Sequence, residues 1–128
     1  MVFTYLPQPE SQLAYNNTVR GGGYCYRRLA GTLNCTNCIG QDAGTAVFSG
    51  TIGGGGYNCS DDNTQPGSNG RNGEVSFVDE DNGDLHLQSA DTVAKGYGLN
   101  LYNDATYPFQ TDIDGQDRGG SGAQWDIG

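Results

Sequence analysis

A chain of 128 residues fits one domain at about 100–200 residues per domain. The formal charge of −9, with Leu, Ile, Val and Phe at only 22 residues, would suit a disordered tail, but 8 Tyr, 4 Phe, 1 Trp and a charged fraction of only 16% do not. Glycine reaches 22 residues without a Gly-X-Y period, which excludes collagen, and 11 Asn, 12 Asp and 10 Thr against 3 Glu and 1 Lys favour turns over helices.

That composition predicts an all-β fold with many tight turns. The charge is uneven: residues 1–33 carry a net +2, and residues 34–128 carry 14 acids against Arg71, Lys95 and Arg118, a net −11. Such a surface repels nucleic acid. No apolar run approaches the about 18 residues of a membrane span. Met1–Glu10 does not read as a signal peptide. Trp125-Asp126-Ile127-Gly128 stops in what reads as a strand, so the natural chain is expected to continue.

In chain order, residues 1–20, with Pro7, Pro9 and the polar run Glu10-Ser11-Gln12, read as an irregular lead-in. From Gly21 short apolar runs begin, each cut off by Gly or Asn. Ala30–Gly40 lines up with Ala43–Gly53 at a shift of 13, and Gly23-Tyr24 is echoed by Gly56-Tyr57 at a shift of 33. Short strands with Gly and Asn at the bends fit a solenoid, in which each circuit supplies only two or three inward side chains per strand and stacking builds the core. A sandwich would need longer alternating strands.

Residues 60–73 form a polar loop. Glu74-Val75-Ser76-Phe77-Val78 and Asp84-Leu85-His86-Leu87-Gln88 read as strands around the turn Asp79–Gly83; Phe77, Leu85 and Leu87 face inward and His86 faces solvent. A single β-helix domain over 21–128, with an irregular cap from about residue 89, is the expected organisation.

The strings Phe77-Val78-Asp79, Asn82-Gly83-Asp84-Leu85-His86-Leu87, Asp112-Ile113-Asp114-Gly115-Gln116-Asp117-Arg118 and Trp125-Asp126-Ile127-Gly128 resemble the closing segment of right-handed parallel β-helix surface proteins. These are pectate-lyase-like solenoids of the choice-of-anchor Q type, and related ends occur in phage fibres. The resemblance covers about residues 30–128, with Ser89–Gly96 a looser version of one block. It implies a short right-handed parallel β-helix in an extracellular, cell-surface or virion setting. It does not imply one chemistry, because such solenoids include lyases, hydrolases and inert spacers.

Four cysteines, Cys25, Cys35, Cys38 and Cys59, admit three readings: small buried hydrophobes in the rungs, a disulfide such as Cys25 with Cys59, or a zinc site begun by Cys35-x-x-Cys38. Two acidic loops, Asp79, Asp81 and Asp84 in one and Asp112, Asp114 and Asp117 in the other, alternate carboxylates around a glycine as a Ca²⁺ loop does. Neither has the bidentate Glu at the twelfth position, and the plain alternative is that these Asp side chains cap their own backbone. Phe77 and Trp125 are expected to be structural.

No residue set reads as catalytic. His86 is the single histidine, and Asp61-Asp62 lacks the companion motifs of the polygalacturonases it superficially resembles. The sequence therefore favours a structural or adhesive module that takes polysaccharide or cell-surface glycan. The alternative is a carbohydrate-active β-helix enzyme, or its inactive remnant, with paired carboxylates. Because the lead-in is too thin to cover a full rung, the N-terminal end is expected to meet a second copy or the preceding part of a longer chain.

Overall fold

The computed structural model describes residues 11–128, and within them the fold is all-β with parallel sheets. The strands are β1 (Ser11–Tyr15), β2 (Thr18–Arg20), β3 (Tyr24–Thr36), β4 (Ile39–Gln41), β5 (Ala46–Gly56), β6 (Cys59–Ser60), β7 (Arg71–Asn72), β8 (Phe77–Asp79) and β9 (Asp84–Leu87). One sheet has the order β1-β3-β5, a second β2-β4-β6-β7, and β8 and β9 form an antiparallel pair.

Register shows how the chain returns on itself. Ser11 pairs with Thr32 and Thr18 with Ile39, each 21 positions on, while Ile39 pairs with Cys59, 20 positions on. The next return, Cys59 to Arg71, takes only 12 positions. The long strand β3 pairs with two register shifts: its first half pairs Tyr24 with Ala46 and Tyr26 with Phe48, its second half pairs Leu33 with Ile52 after a bend between Arg28 and Leu33, and a further shift falls between Cys35 and Thr36. Leu29, inside that bend, points to solvent at 77% exposure.

The corners between the two sheets have a backbone reason. Asn16, Asn37 and Tyr57 have φ of 48°, 55° and 59° and occupy equivalent corners of successive turns. Asparagine tolerates this left-handed region, whereas Tyr57 is strained there. At the bend, Gly50 has φ +88°, and a Cβ placed on it would meet the Arg28 carbonyl oxygen at 1.9 Å. Only glycine fits.

Two buried clusters fill the interior. Tyr26, Cys35, Cys38, Val47 and Phe48 form one, with the Tyr26 and Phe48 rings stacked at 4.7 Å. Ile39, Cys59, Val75, Phe77, Ala94 and Ile127 form the other, with Leu85, Leu87 and Val93 packed against it. Buried amides join the turns where backbone pairing stops. Gln41 accepts from the Val75 N–H at 2.9 Å and donates to the Val75 carbonyl at 3.3 Å; Asn37 makes the same two-way pairing with Leu99 at 2.7 and 2.8 Å. Asn58 accepts from Cys38 N–H and donates to the carbonyls of Cys35 and Pro66. The open edge of β5 is closed by side chains, with Asp62 Oδ2 accepting from Val47 N–H and Thr64 Oγ1 from Phe48 N–H.

Three expectations need correction. Residues 11–20 are not an irregular lead-in, since β1 and β2 lie there; the remainder of that expectation, residues 1–10, lies outside the described residues. Strand β1 escapes a pattern search because a stacked parallel strand can bury as little as one small side chain, here Ala14. The echoes at shifts of 13 and 33 are not the structural period either. Paired residues of successive parallel strands lie about 20 positions apart, not 13 or 33. Finally, parallel pairing ends at β7, and from Phe77 the chain runs as an antiparallel hairpin followed by turns. Parallel pairing thus stops before residue 89, and Gly83 at φ +83° closes a reversal after the 3-10 turn Glu80–Asn82.

Candidate functional site

The hairpin places His86 at the rim of a groove of about 800 Å³ lined by Asn16, Thr18, Ile39, Asp84, Leu85, Ile113, Ile127 and Gly128. Strand alternation turns Leu85 and Leu87 towards the core and His86 outward. Its ring is held from both sides: Nδ1 meets Asp84 Oδ1 at 2.5 Å and Nε2 meets Asp114 Oδ2 at 2.9 Å. The hydrogen bonds to Asp84 and then Asp114 raise the His86 pKa, and the same bond to His86 lowers that of Asp84. A ring with a carboxylate on each nitrogen is stabilised as imidazolium. It is then a poor general base, because both positions that would take a proton are engaged. On the same groove wall, both amide atoms of Asn16 are buried without a hydrogen-bond partner among the described residues.

The two acidic loops proposed for Ca²⁺ are therefore joined, but through a histidine. Asp84 of one and Asp114 of the other share His86, while the remaining carboxylates serve the backbone or other side chains. Asp112 Oδ1 accepts from the N–H groups of Asp114 and Gln116, and Asp117 from Gly119. Asp79 accepts from the Asn82 amide, and Asp81 lies 3.8 Å from Arg20. Arg20 also pairs with Asp42 at 2.6 Å and Glu80 at 3.4 Å, tying the first turn of chain to the hairpin. Among the described residues, no three His, Cys, Asp or Glu converge to hold a metal ion.

All four cysteines are free thiols. Cys35, Cys38 and Cys59 are fully buried. Burial pushes the Cys59 thiol up to about 12. Cys25 donates to the Gln41 carbonyl at 3.5 Å and Cys59 to the Gly73 carbonyl at 3.7 Å, so these two are engaged at separate places. Cys35 and Cys38 lie on either side of the Asn37 corner, and Cys38 Sγ donates to the carbonyls of Ala14 at 3.4 Å and Thr36 at 3.5 Å. Phe77 and Trp125 are 4% and 2% exposed, and Arg118 lies over the Trp125 ring at 5.2 Å.

A second surface lies outside the first sheet. With Ala14 turned inward, its neighbours Leu13 and Tyr15 face out, and Tyr15 meets Tyr107 and Phe109 at ring distances of 5.7 and 6.2 Å. These residues, with Ser11, Gln12 and Leu33, line a shallow hollow of about 600 Å³. Burial first, then Asp104 and Tyr107, raise the Tyr15 phenol pKa. Tyr107 stays 51% exposed. The sequence gives no direct signal for this cluster, because Tyr15 and Tyr107 are 92 positions apart and meet only through the cap.

The described residues include Asp91, a further site that pattern reading passes over. Its carboxylate accepts the N–H groups of Ser76, Val93, Ala94 and Lys95 at 3.0, 3.1, 2.7 and 2.9 Å. Burial alone would raise its pKa, but those backbone donors outweigh it and the net shift is downward. This is an architectural role, tying the Val93–Lys95 turn to the residue that precedes strand β8. No helix among the described residues is long and apolar enough to cross a membrane. No family model matches the chain, and neither a curated protein nor a solved structure matches it significantly.

Proposed function

We propose that the chain is a short right-handed parallel β-helix acting as a structural or adhesive module of an extracellular, cell-surface or virion fibre protein, with glycan as its ligand class. The observation that supports this reading is the repeated parallel return at 21, 21 and 20 positions, which stacks one turn of chain on the next. Right-handed crossovers are the strong rule for parallel connections. Among the described residues β1 and β2 are outermost in their sheets, and their outer edges are where another strand, from the preceding part of the protein or a second copy, would pair. The glycan would lie on the aromatic hollow of Tyr15, Tyr107 and Phe109, where ring faces meet the C–H face of a sugar and nearby amides and hydroxyls meet its rim. The acidic charge favours neutral over anionic sugars.

The test is titration of the isotopically labelled protein with neutral cell-surface oligosaccharides, followed by resonance shifts. Binding with shifts centred on Tyr15 and Tyr107, weakened at least about tenfold by Tyr107→Ala, is the expected result. Absence of binding across a broad panel would overturn the glycan reading. Release of new reducing ends or unsaturated products would favour the enzyme alternative instead.

A further inference from the structure

We propose that copies of this chain associate head to tail, the Leu29 bend of one seating in the groove beside His86 of the next. The contact uses neither the aromatic hollow nor the outer edges of β1 and β2, so it stands or falls independently of the function proposed above. Leu29 is 77% exposed at the bend of β3, and the nearby Arg27 is exposed with its guanidinium 4.3 Å from the Tyr24 ring. One exposed leucine needs no explanation by itself. What singles this one out is a complementary surface elsewhere on the molecule.

The groove supplies that surface. Ile39, Leu85 and Ile127 line it, and Ile113, on the same lining, is 93% exposed. Its volume of about 800 Å³ falls among sites of about 300–1,000 Å³ that enclose a compact ligand, and a loop tip is of that kind. The charges match as well. Asp84 and Asp126 line the groove, and with Asp114 they outnumber the cation of His86. From Ser11 to Leu33 the chain carries Arg20, Arg27 and Arg28 and no acid, whereas residues 34–128 carry a net −11. The acidic rim therefore attracts the basic bend of a second copy and repels the rest of it.

Asn16 indicates that the occupant is polypeptide. Asn37, one circuit later, pairs its amide both ways with the backbone of Leu99, accepting at 2.7 Å and donating at 2.8 Å. Asn16 occupies the equivalent corner and lines the groove, with both amide atoms buried and without a hydrogen-bond partner among the described residues. The N–H and carbonyl of one incoming residue satisfy that donor and acceptor together, as Leu99 does for Asn37. Leu29 is not on the groove lining, so the two faces differ and the contact is heterologous. Each copy offers one bend and one groove.

The experiment is sedimentation velocity on the full chain from about 10 μM to about 1 mM, the range suited to a small contact. Wild type is compared with Leu29→Ser and Ile113→Lys, which remove the bend tip and the groove wall in turn. Both residues are exposed, so thermal midpoints should stay close to wild type. The expected result is a mean mass that rises with concentration for wild type, and association at least about tenfold weaker in each variant alone. An equal mixture of the two variants should form a one-to-one complex and nothing larger, because one intact bend then meets one intact groove. A wild type that is monomeric throughout, a variant that associates as wild type does, or a mixture no more associated than its components would overturn the proposal. Pairing through the strand edges would survive both substitutions, and so gives the second of these outcomes.

Discussion

Nε2 of His86 lies 2.9 Å from Oδ2 of Asp114, so the outward face of β9 is tied to a turn 28 residues further along the chain. With Asp84 on the other ring nitrogen, the histidine acts as a cationic link between two otherwise separate acidic segments. The link depends on the charge of the ring.

The pH dependence follows from the signs. The His86 pKa is raised by folding, so its contribution is fully present below the unfolded value of 6.5 and is lost as pH rises through the folded value. The Asp84 pKa is lowered, so its contribution is present above 3.8 and is lost as pH falls through its folded value. Thermal midpoints of wild type and His86→Gln should therefore converge as pH rises above 6.5 and through the raised folded value, with wild type ahead on the acid side. Parallel curves would show that the ring carries no charge in the link.

Asp91 gives the opposite signature. Its depressed pKa means that its stabilisation is present above 3.8 and disappears as pH falls through the folded value. Asp91→Ala leaves several backbone N–H groups without their acceptor and should cost about 2–4 kcal/mol at neutral pH. Denaturant unfolding at neutral and acid pH measures it; a variant equally destabilised at both would contradict the assignment.

Packing separates neighbours on one strand. Phe77 is 4% exposed and Val78 is 53% exposed, so Phe77→Ala should cost about 3–5 kcal/mol while Val78→Ala stays within about 0.5 kcal/mol. Equal costs in urea unfolding would mean that the strand faces the other way.

Glycines with similar φ should behave differently. At Gly83, with φ +83°, an added Cβ would have nothing within 4 Å, whereas at Gly50 it would meet the Arg28 carbonyl oxygen at 1.9 Å. Gly83→Ala should cost about 1–2 kcal/mol from backbone strain alone, and Gly50→Ala well above about 3 kcal/mol because the bend of β3 against β5 must open. Matching unfolding midpoints for the two variants would contradict the close approach.

Calcium removal should matter little. Asp112 and Asp117 are already acceptors for backbone N–H groups, and Asp84 and Asp114 are engaged with His86. Excess chelator should leave the thermal midpoint within about 2 °C; a fall above about 10 °C would expose a metal site.

Parts of this organisation are legible in the sequence, and the reasons differ by residue. Phe77 and the Leu85-His86-Leu87 alternation are visible because a half-buried strand repeats every two residues. The acidic turns are visible as Asp and Gly clusters, but not their joining through His86, which spans 28 positions. Asn37, Asn58 and Gln41 read as turn or surface residues, yet all three are buried and carry backbone-like hydrogen bonds between turns. Nothing in composition distinguishes a buried amide from a solvated one. The strand Ser11–Tyr15 is hidden for a related reason, since its sheet pairing comes from β3 rather than from an apolar pattern of its own.

The most direct measurement of the parallel stack is a set of interstrand amide and Hα nuclear Overhauser contacts in uniformly labelled protein. The account predicts parallel-sheet contacts linking Ala14 with Cys35, Thr18 with Ile39 and Ile39 with Cys59, at offsets of 21, 21 and 20 positions. Close Hα–Hα contacts typical of antiparallel pairing at these positions, or contacts at an offset of 13, would contradict it.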